Sequence, residues 1–318
     1  MNAKEKNEFT WLRPRSSSAA LSDGYRFYLN QFKKLFQSSW LAALAYAVVV
    51  GSSMSLLINS LPQFIILIGQ GLIAIPEVQQ QFLVAGIAGC TLLLLYLLTG
   101  ALLCACGFSL LHKHQASGSI EKPRHWYGSI SRHILLRTVK AMLWMVLIAL
   151  LGYAILMGVV LLSKLYLGAI TGLLLTALTI IALVALLLPF ICIVCKYILE
   201  SGSFISHVAH YYPVSMRHWG AVFIVMLVME IITGLLTLII NLPANILYAA
   251  NLQSQLGLLQ GDPQGMPGYM TWMNLIVFVI AGFILAYVQL STLFPAYFLY
   301  GSIEAQEQER KELNKTES

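Results

Sequence analysis

The sequence predicts an all-α integral membrane protein: a bundle of six transmembrane helices with interfacial amphipathic helices and approximate parallel repeats. Three observations carry that reading. The 318-residue chain is 58% hydrophobic and only 10% charged, with a mean hydropathy of +0.78, whereas soluble domains hold roughly 25% charged residues. Six apolar stretches each provide the ~20 residues of helix needed to cross a ~30 Å hydrocarbon core. The basic residues fall almost wholly on one side of those stretches. Together these features exclude a soluble enzyme, a disordered protein and a disulfide-built secreted domain.

The N-terminal tail, 1–20, opens a basic region that runs to residue 37 and holds Lys4, Lys6, Arg13, Arg15, Arg26, Lys33 and Lys34. It has no apolar run, so no cleavable signal peptide is expected. The membrane domain, 21–301, opens at Ser22-Asp23, a favourable helix cap. Tyr25, Leu29, Phe32 and Phe36 recur at helical spacing, with Arg26, Asn30, Lys33 and Lys34 off that stripe. Trp40 marks the approach to span one, 38–59. Asn59-Ser-Leu-Pro62 reads as a capped helix end, and the apolar loop at 60–81 as a short outer-leaflet or re-entrant helix. Span two is 82–111.

A second amphipathic stretch begins near Trp126-Tyr127 and passes Ile130, Ile134 and Arg137 to Trp144 in span three, 138–162. Span four, 166–195, returns and carries Pro189. The third amphipathic stretch starts near Phe204, passes His207, Tyr211 and Arg217, and meets span five, 219–241, at Trp219. Span five ends in Asn241-Leu-Pro243, again read as a capped end. The loop at 248–270 carries Gly257, Gly261, Asp262, Pro263, Gly265, Pro267 and Gly268 and reads as a turn-rich connection. Span six, 271–299, carries Pro295, and a charged, helix-prone tail follows at 302–318.

The order of amphipathic segment, span, outer loop and returning span thus recurs, giving repeat units at about 21–112, 119–200 and 201–301. Proline removes a backbone hydrogen bond and bends a helix, so kinks are expected at Pro189 and Pro295. Each is followed by apolar residues and then an acid, Glu200 or Glu304.

Of the 19 basic residues, only Lys164 lies off the side shared by both termini. Such loops are held in the cytoplasm, so both termini are expected inside. The formal net charge of +6 follows from that bias and from attraction to anionic lipid, and no nucleic-acid partner is expected. Membrane lipids, and a possible membrane-protein partner, are the expected associates.

Glu230 is the only acid deep within a predicted span. An intramembrane carboxyl is costly and marks a functional hypothesis; hydrogen bonding to a neighbouring helix is the alternative. With Gln289 and Asn274 of span six it forms the candidate intramembrane polar site. His207 and His210 share a helix face, but no Cys or acid stands at ligand spacing beside them, so no metal is expected. Cys192-x-x-Cys195 has a redox spacing but lies in a strongly apolar helix, where packing cysteines are expected. There is no Gly-x-Ser-x-Gly elbow and no phosphate loop. Neither catalytic residues nor a cofactor are expected.

The segment from Pro189 through Glu200 to Trp219 combines a proline late in a span, an acid, a short amphipathic stretch and an aromatic at the next span. It resembles the membrane-domain superfamily found fused to some glycerophosphodiester phosphodiesterases, and its stand-alone uncharacterised bacterial relatives. The exit Tyr300-Gly301-Ser302-Ile303-Glu304 is similar to the way such proteins end. The resemblance implies a fold and a bacterial plasma-membrane location. It does not imply the phosphodiesterase activity, since the hydrophilic domain that carries it is missing. The function expected is that of a non-enzymatic envelope protein that organises lipids or assists a membrane complex, with a transporter of a lipid or small solute, using Glu230, as the alternative.

Overall fold

A computed structural model describes residues 10–69, 75–117, 130–166, 168–259 and 267–316; side chains are left undescribed at 58–69, 77, 255, 256, 258, 259 and 271. Among the described residues the fold is all helix. The elements are α1 (Ser17–Gly69), α2 (Pro76–Ser117), α3 (Arg132–Tyr166), α4 (Ala169–Leu187), α5 (Phe190–Leu199), α6 (Phe204–Arg217), α7 (Trp219–Leu259) and α8 (Tyr269–Thr316). Six helical segments are long and apolar enough to cross a membrane, so the chain is a polytopic membrane protein.

Helix ends differ from the sequence reading in instructive ways. α1 begins at Ser17, where the Ser16 hydroxyl accepts from the Ala19 amide at 3.3 Å, so Ser16 caps it and Ser22-Asp23 lies within the helix. Asn59-Ser-Leu-Pro62 and Asn241-Leu-Pro243 stop nothing: α1 continues to Gly69 and α7 to Leu259. In an apolar solvent an unpaired backbone group costs several kcal/mol, so the helix is held through signals that would end it in water. At about 1.5 Å per residue, the 53 residues of α1 reach well beyond the hydrocarbon thickness.

Of the three amphipathic stretches, one forms a separate helix, α6, capped by Ser203 accepting from the Ser206 amide at 3.3 Å. The first is the leading portion of α1, and the described part of the second runs unbroken into α3. Trp126 and Tyr127, like Gly261, Asp262, Pro263 and Gly265 of the turn-rich connection, lie outside the described residues.

The expected interruption at Pro189 is present: α4 ends at Leu187 and α5 begins at Phe190. Lacking an N–H, Pro189 leaves the Ala185 carbonyl without its helical donor, and the Trp219 indole N–H donates to that oxygen at 3.1 Å. The Tyr212 hydroxyl donates to the Leu186 carbonyl at 3.1 Å, and Ser215 to the Pro189 carbonyl at 3.1 Å. Three side chains from α6 and the start of α7 therefore close the gap in the backbone ladder. At Pro295 the helical assignment of α8 is unbroken.

The chain divides into two compact units. The first comprises Met1–Leu35, Ala105–Glu230 and Ser291–Ser318. In its core Phe27 packs on His114 (4.6 Å between centroids) and Phe298 (5.5 Å), while Trp11 stacks on Tyr297 and Tyr300. α1 approaches α8 closely at Gly24, where an added Cβ would fall 2.5 Å from both Pro295 N and Cα. Arg15 fastens the segment before α1: its amide donates to Ser302 Oγ at 2.8 Å, that hydroxyl donates back to the Arg15 carbonyl at 3.0 Å, and its Nε pairs with Asp23 at 2.8 Å. α3 and α4 form a hairpin that turns outward an array of exposed Leu and Ile side chains, among them Leu147, Leu151, Leu174 and Ile181, as a lipid-facing hairpin must.

The second unit comprises Phe36–Cys104 and Ile231–Leu290. Here α1 and α8 pack through small residues: a Cβ on Gly51 would lie 2.5 Å from Val279 Cγ2 and 2.9 Å from its backbone N, and one on Gly282 3.3 Å from Ala47 Cα. Ala43, Ala47 and Gly51 recur every fourth residue. Small residues at that spacing let apolar helices approach closely, which membrane helices require because hydrophobic burial does not drive them together.

Candidate functional site

In the first unit two acids, Glu200 and Glu304, meet on one lysine. α5 projects Lys196 from its last turn, and Glu200 follows as its C-cap. The Lys196 ammonium lies 2.9 Å from Glu304 of α8 and 3.5 Å from Glu200. It also sits over the Tyr211 ring at 4.5 Å and the Tyr300 ring at 5.8 Å, both favourable cation–π placements. The Tyr300 hydroxyl donates to the Glu200 carboxylate. One cation is thus held by two carboxylates and two aromatic faces, with a phenol absorbing part of the second carboxylate's charge.

Beside it, Glu307 accepts Arg217 Nη1 at 2.7 Å, with His218 Nε2 at 3.4 Å and Arg310 at 3.9 Å. A third group forms around the turn between α5 and α6. Arg137 Nη2 donates to the Gly202 carbonyl at 2.5 Å and its guanidinium lies over Tyr197 at 4.5 Å. Gly202 has φ of +131°, and a Cβ there would fall 2.5 Å from His207 Cε1. The glycine is required twice, for its dihedral and for the imidazole against it.

Beside these groups, α5, α6 and α8 line a half-open polar cavity of about 310 Å³. Its wall includes Lys196, Ser206, His207, His210, Tyr211 and Lys311, with Glu304 and Glu307. His207 Nδ1 lies 2.7 Å from the Ser203 carbonyl and His210 Nδ1 2.8 Å from the Ser206 carbonyl. A carbonyl only accepts, so both rings carry their proton on Nδ1 and leave Nε2 available. The Tyr211 hydroxyl is buried without a hydrogen-bond partner among the described residues. Burial, reinforced by the Glu304 and Glu200 charges, raises its ionisation well above the ordinary phenol range, so it remains a donor.

The second unit holds a cavity of different character: a cleft of about 460 Å³ between α1 and α2, lined by Val50, Met54, Leu57, Ala85, Gly89 and Leu92 with Ser53 and Tyr96. The Tyr46 hydroxyl nearby meets Tyr96 at 3.3 Å and donates to Gln289 Oε1 at 2.9 Å.

The three residues of the expected intramembrane site fall in both units. Glu230 belongs to the first unit, is exposed, and acts electrostatically on Tyr25. Asn274 and Gln289 both lie on α8 in the second unit, fifteen residues or roughly 22 Å apart along the helix. Gln289 is engaged by Tyr46, whereas Asn274 is 1% exposed with an amide oxygen that has no partner among the described residues. Cys192 and Cys195 are buried and unbridged. His207 and His210 share a helix face, and among the described residues no group of three or more His, Cys, Asp or Glu side chains could hold a metal.

Sequence reasoning noted Glu200 and Glu304 as acids placed alike after two prolines, but not that both reach Lys196, and it gave Glu307 no role beyond a charged tail. The spacing carries the first of these signals; nothing in the local sequence carries the pairing itself. Comparison with family profiles, with curated proteins and with solved structures returns no match to this chain.

Proposed function

We propose that this polytopic protein organises lipid in a bacterial plasma membrane, with both termini in the cytoplasm, and that it performs no catalysis. The observation that carries the reading is the cleft between α1 and α2, whose wall is apolar apart from Ser53 and Tyr96. Its shape and chemistry suit an acyl chain, which gains stability from apolar contact at about 25 cal/mol per Å² removed from water. The basic residues gathered beside both termini supply the electrostatic complement to anionic headgroups. The same properties fit a protein that assists a membrane complex through shared lipid, and they fit the membrane location implied by the resemblance to stand-alone bacterial membrane-domain proteins.

Native mass spectrometry of the gently solubilised protein tests this directly. Gly89 lines the cleft and has open space around its Cβ position, so Gly89→Phe adds bulk at the cleft wall from a position that tolerates a side chain's first atom. The wild type should retain lipid that Gly89→Phe loses; equal retention by both rules out the cleft as the lipid site. A transporter of a lipid or small solute is the second reading, favoured by Glu230, a carboxylate within the apolar helix α7. It requires that Glu230→Gln, run alongside, lose a bound solute or lipid while Gly89→Phe keeps it.

A further inference from the structure

We propose that the half-open polar cavity lined by α5, α6 and α8 binds a phosphate group, presented by a phospholipid headgroup or by a soluble phosphate ester. The cavity belongs to the first unit, so the inference stands independently of the acyl cleft and can fail without it.

The argument rests on which groups in the wall are already committed. Glu304 is neutralised by Lys196 at 2.9 Å, and Glu307 by Arg217 at 2.7 Å. The carboxylates are therefore occupied by partners that the fold itself provides. What is left over is hydrogen-bond donors and positive charge. The Tyr211 hydroxyl, on a residue only 5% exposed, lies beside Glu304 without meeting hydrogen-bond geometry. Lys311 is exposed, lines the cavity and has no ion pair among the described residues. His210 and His207 each have Nδ1 held by a carbonyl, which leaves Nε2 as the ring atom available to a ligand.

The charges of the wall itself balance, Lys196 and Lys311 against Glu304 and Glu307, and Arg217 and Arg310 approach Glu307 from beside it. A phosphate presents only acceptors at its ionised oxygens, so it matches an ammonium and a phenol, and charged hydrogen bonds are the stronger ones. At about 310 Å³ the cavity has far more room than one water needs, enough to admit a phosphate with the start of its ester. α6 also turns Ile205 and Met216 outward on the same helix as Ser206 and His210. A helix of that kind lies at the level of lipid headgroups, where phosphate is abundant.

The test uses the full-length protein in a phosphate-free maltoside detergent, read by native mass spectrometry and by thermal unfolding. The probes are sn-glycerol 3-phosphate, dioleoyl phosphatidylglycerol, and a phosphate-free diglycosyl diacylglycerol as control. The wild type should bind one phosphate-bearing probe in preference to the control. His210→Ala with Lys311→Ala should weaken that binding by about tenfold or more, the loss expected for a charged hydrogen bond. Tyr211→Phe, which removes one atom and no packing, should weaken it several-fold while unfolding without ligand at the wild-type temperature, and Lys311→Arg should restore binding. Binding of both phosphate probes assigns the soluble ester; binding of phosphatidylglycerol alone assigns the headgroup. The proposal is overturned if neither probe binds, if the variants bind as the wild type does, or if zinc alone stabilises the protein through His210.

Discussion

Replacing Lys196 by methionine keeps the length and most of the volume of the side chain but removes the charge that two carboxylates share. Breaking a fully buried pair costs about 3–5 kcal/mol, whereas an exposed pair contributes at most about 1 kcal/mol. Lys196 and Glu304 side chains are each 18% exposed, which places the loss nearer the buried limit, at about 2–3 kcal/mol once solvent screening is allowed for. Part of that loss comes from the Tyr211 and Tyr300 ring faces, a cation–π contribution of about 1 kcal/mol. The remainder comes from leaving Glu304 and Glu200 without a counter-charge. Equilibrium unfolding in mild detergent, followed by tryptophan fluorescence, measures the loss, and Glu304→Gln completes a double-mutant cycle. Because Glu304→Gln removes the partner's charge, the cycle should return a coupling of about 1–2 kcal/mol. A Lys196→Met protein within about 0.5 kcal/mol of wild type, or a coupling of zero, would refute the view that this lysine organises the first unit.

Two further outcomes follow from close contacts. Gly24→Ala should destabilise by about 1–3 kcal/mol, the usual range for overpacking, because its Cβ would meet backbone atoms of Pro295 at 2.5 Å. Gly86→Ala, with open space at its Cβ, should be neutral or slightly stabilising in the same unfolding assay. Trp219→Phe keeps an aromatic ring but leaves the Ala185 carbonyl unpaired; a loss of about 1–3 kcal/mol is expected, and an unchanged unfolding midpoint would show that the carbonyl finds another donor.

The spans were legible because their signal is cumulative: some twenty apolar residues outweigh any single exception. The interruption at Pro189 was legible because a missing N–H acts locally. The stops read at Asn59-Ser-Leu-Pro62 and Asn241-Leu-Pro243 failed because they were judged by rules for helices in water, where a freed amide is solvated. The start of α1 was misplaced for a related reason, since Ser16 and Ser22-Asp23 are equally good caps by composition and the contact of Arg15 with Ser302 decides between them. Glu200 and Glu304 could be matched as a pattern, yet Lys196 and Glu304 are 108 residues apart in sequence, and no local periodicity reports such a meeting. The Ala43, Ala47 and Gly51 stripe was readable in principle, but amid so many small apolar residues it became informative only once α8 was seen against it.

The mended ladder at Pro189 also sets an order of assembly. Ribosomes deliver α3 and α4 before α6, and the hairpin they form already contains a carbonyl oxygen, at Ala185, whose helical donor Pro189 cannot supply. Its donor, Trp219, emerges roughly thirty residues later in the chain, a second or more at ordinary rates of synthesis. During that interval the hairpin is an unfinished structure, with the Ala185 oxygen still without its protein donor. Arrival of α6 and the first turn of α7 seals it, so the tryptophan at the threshold of the next span acts as the latch that ends one insertion step as it begins another.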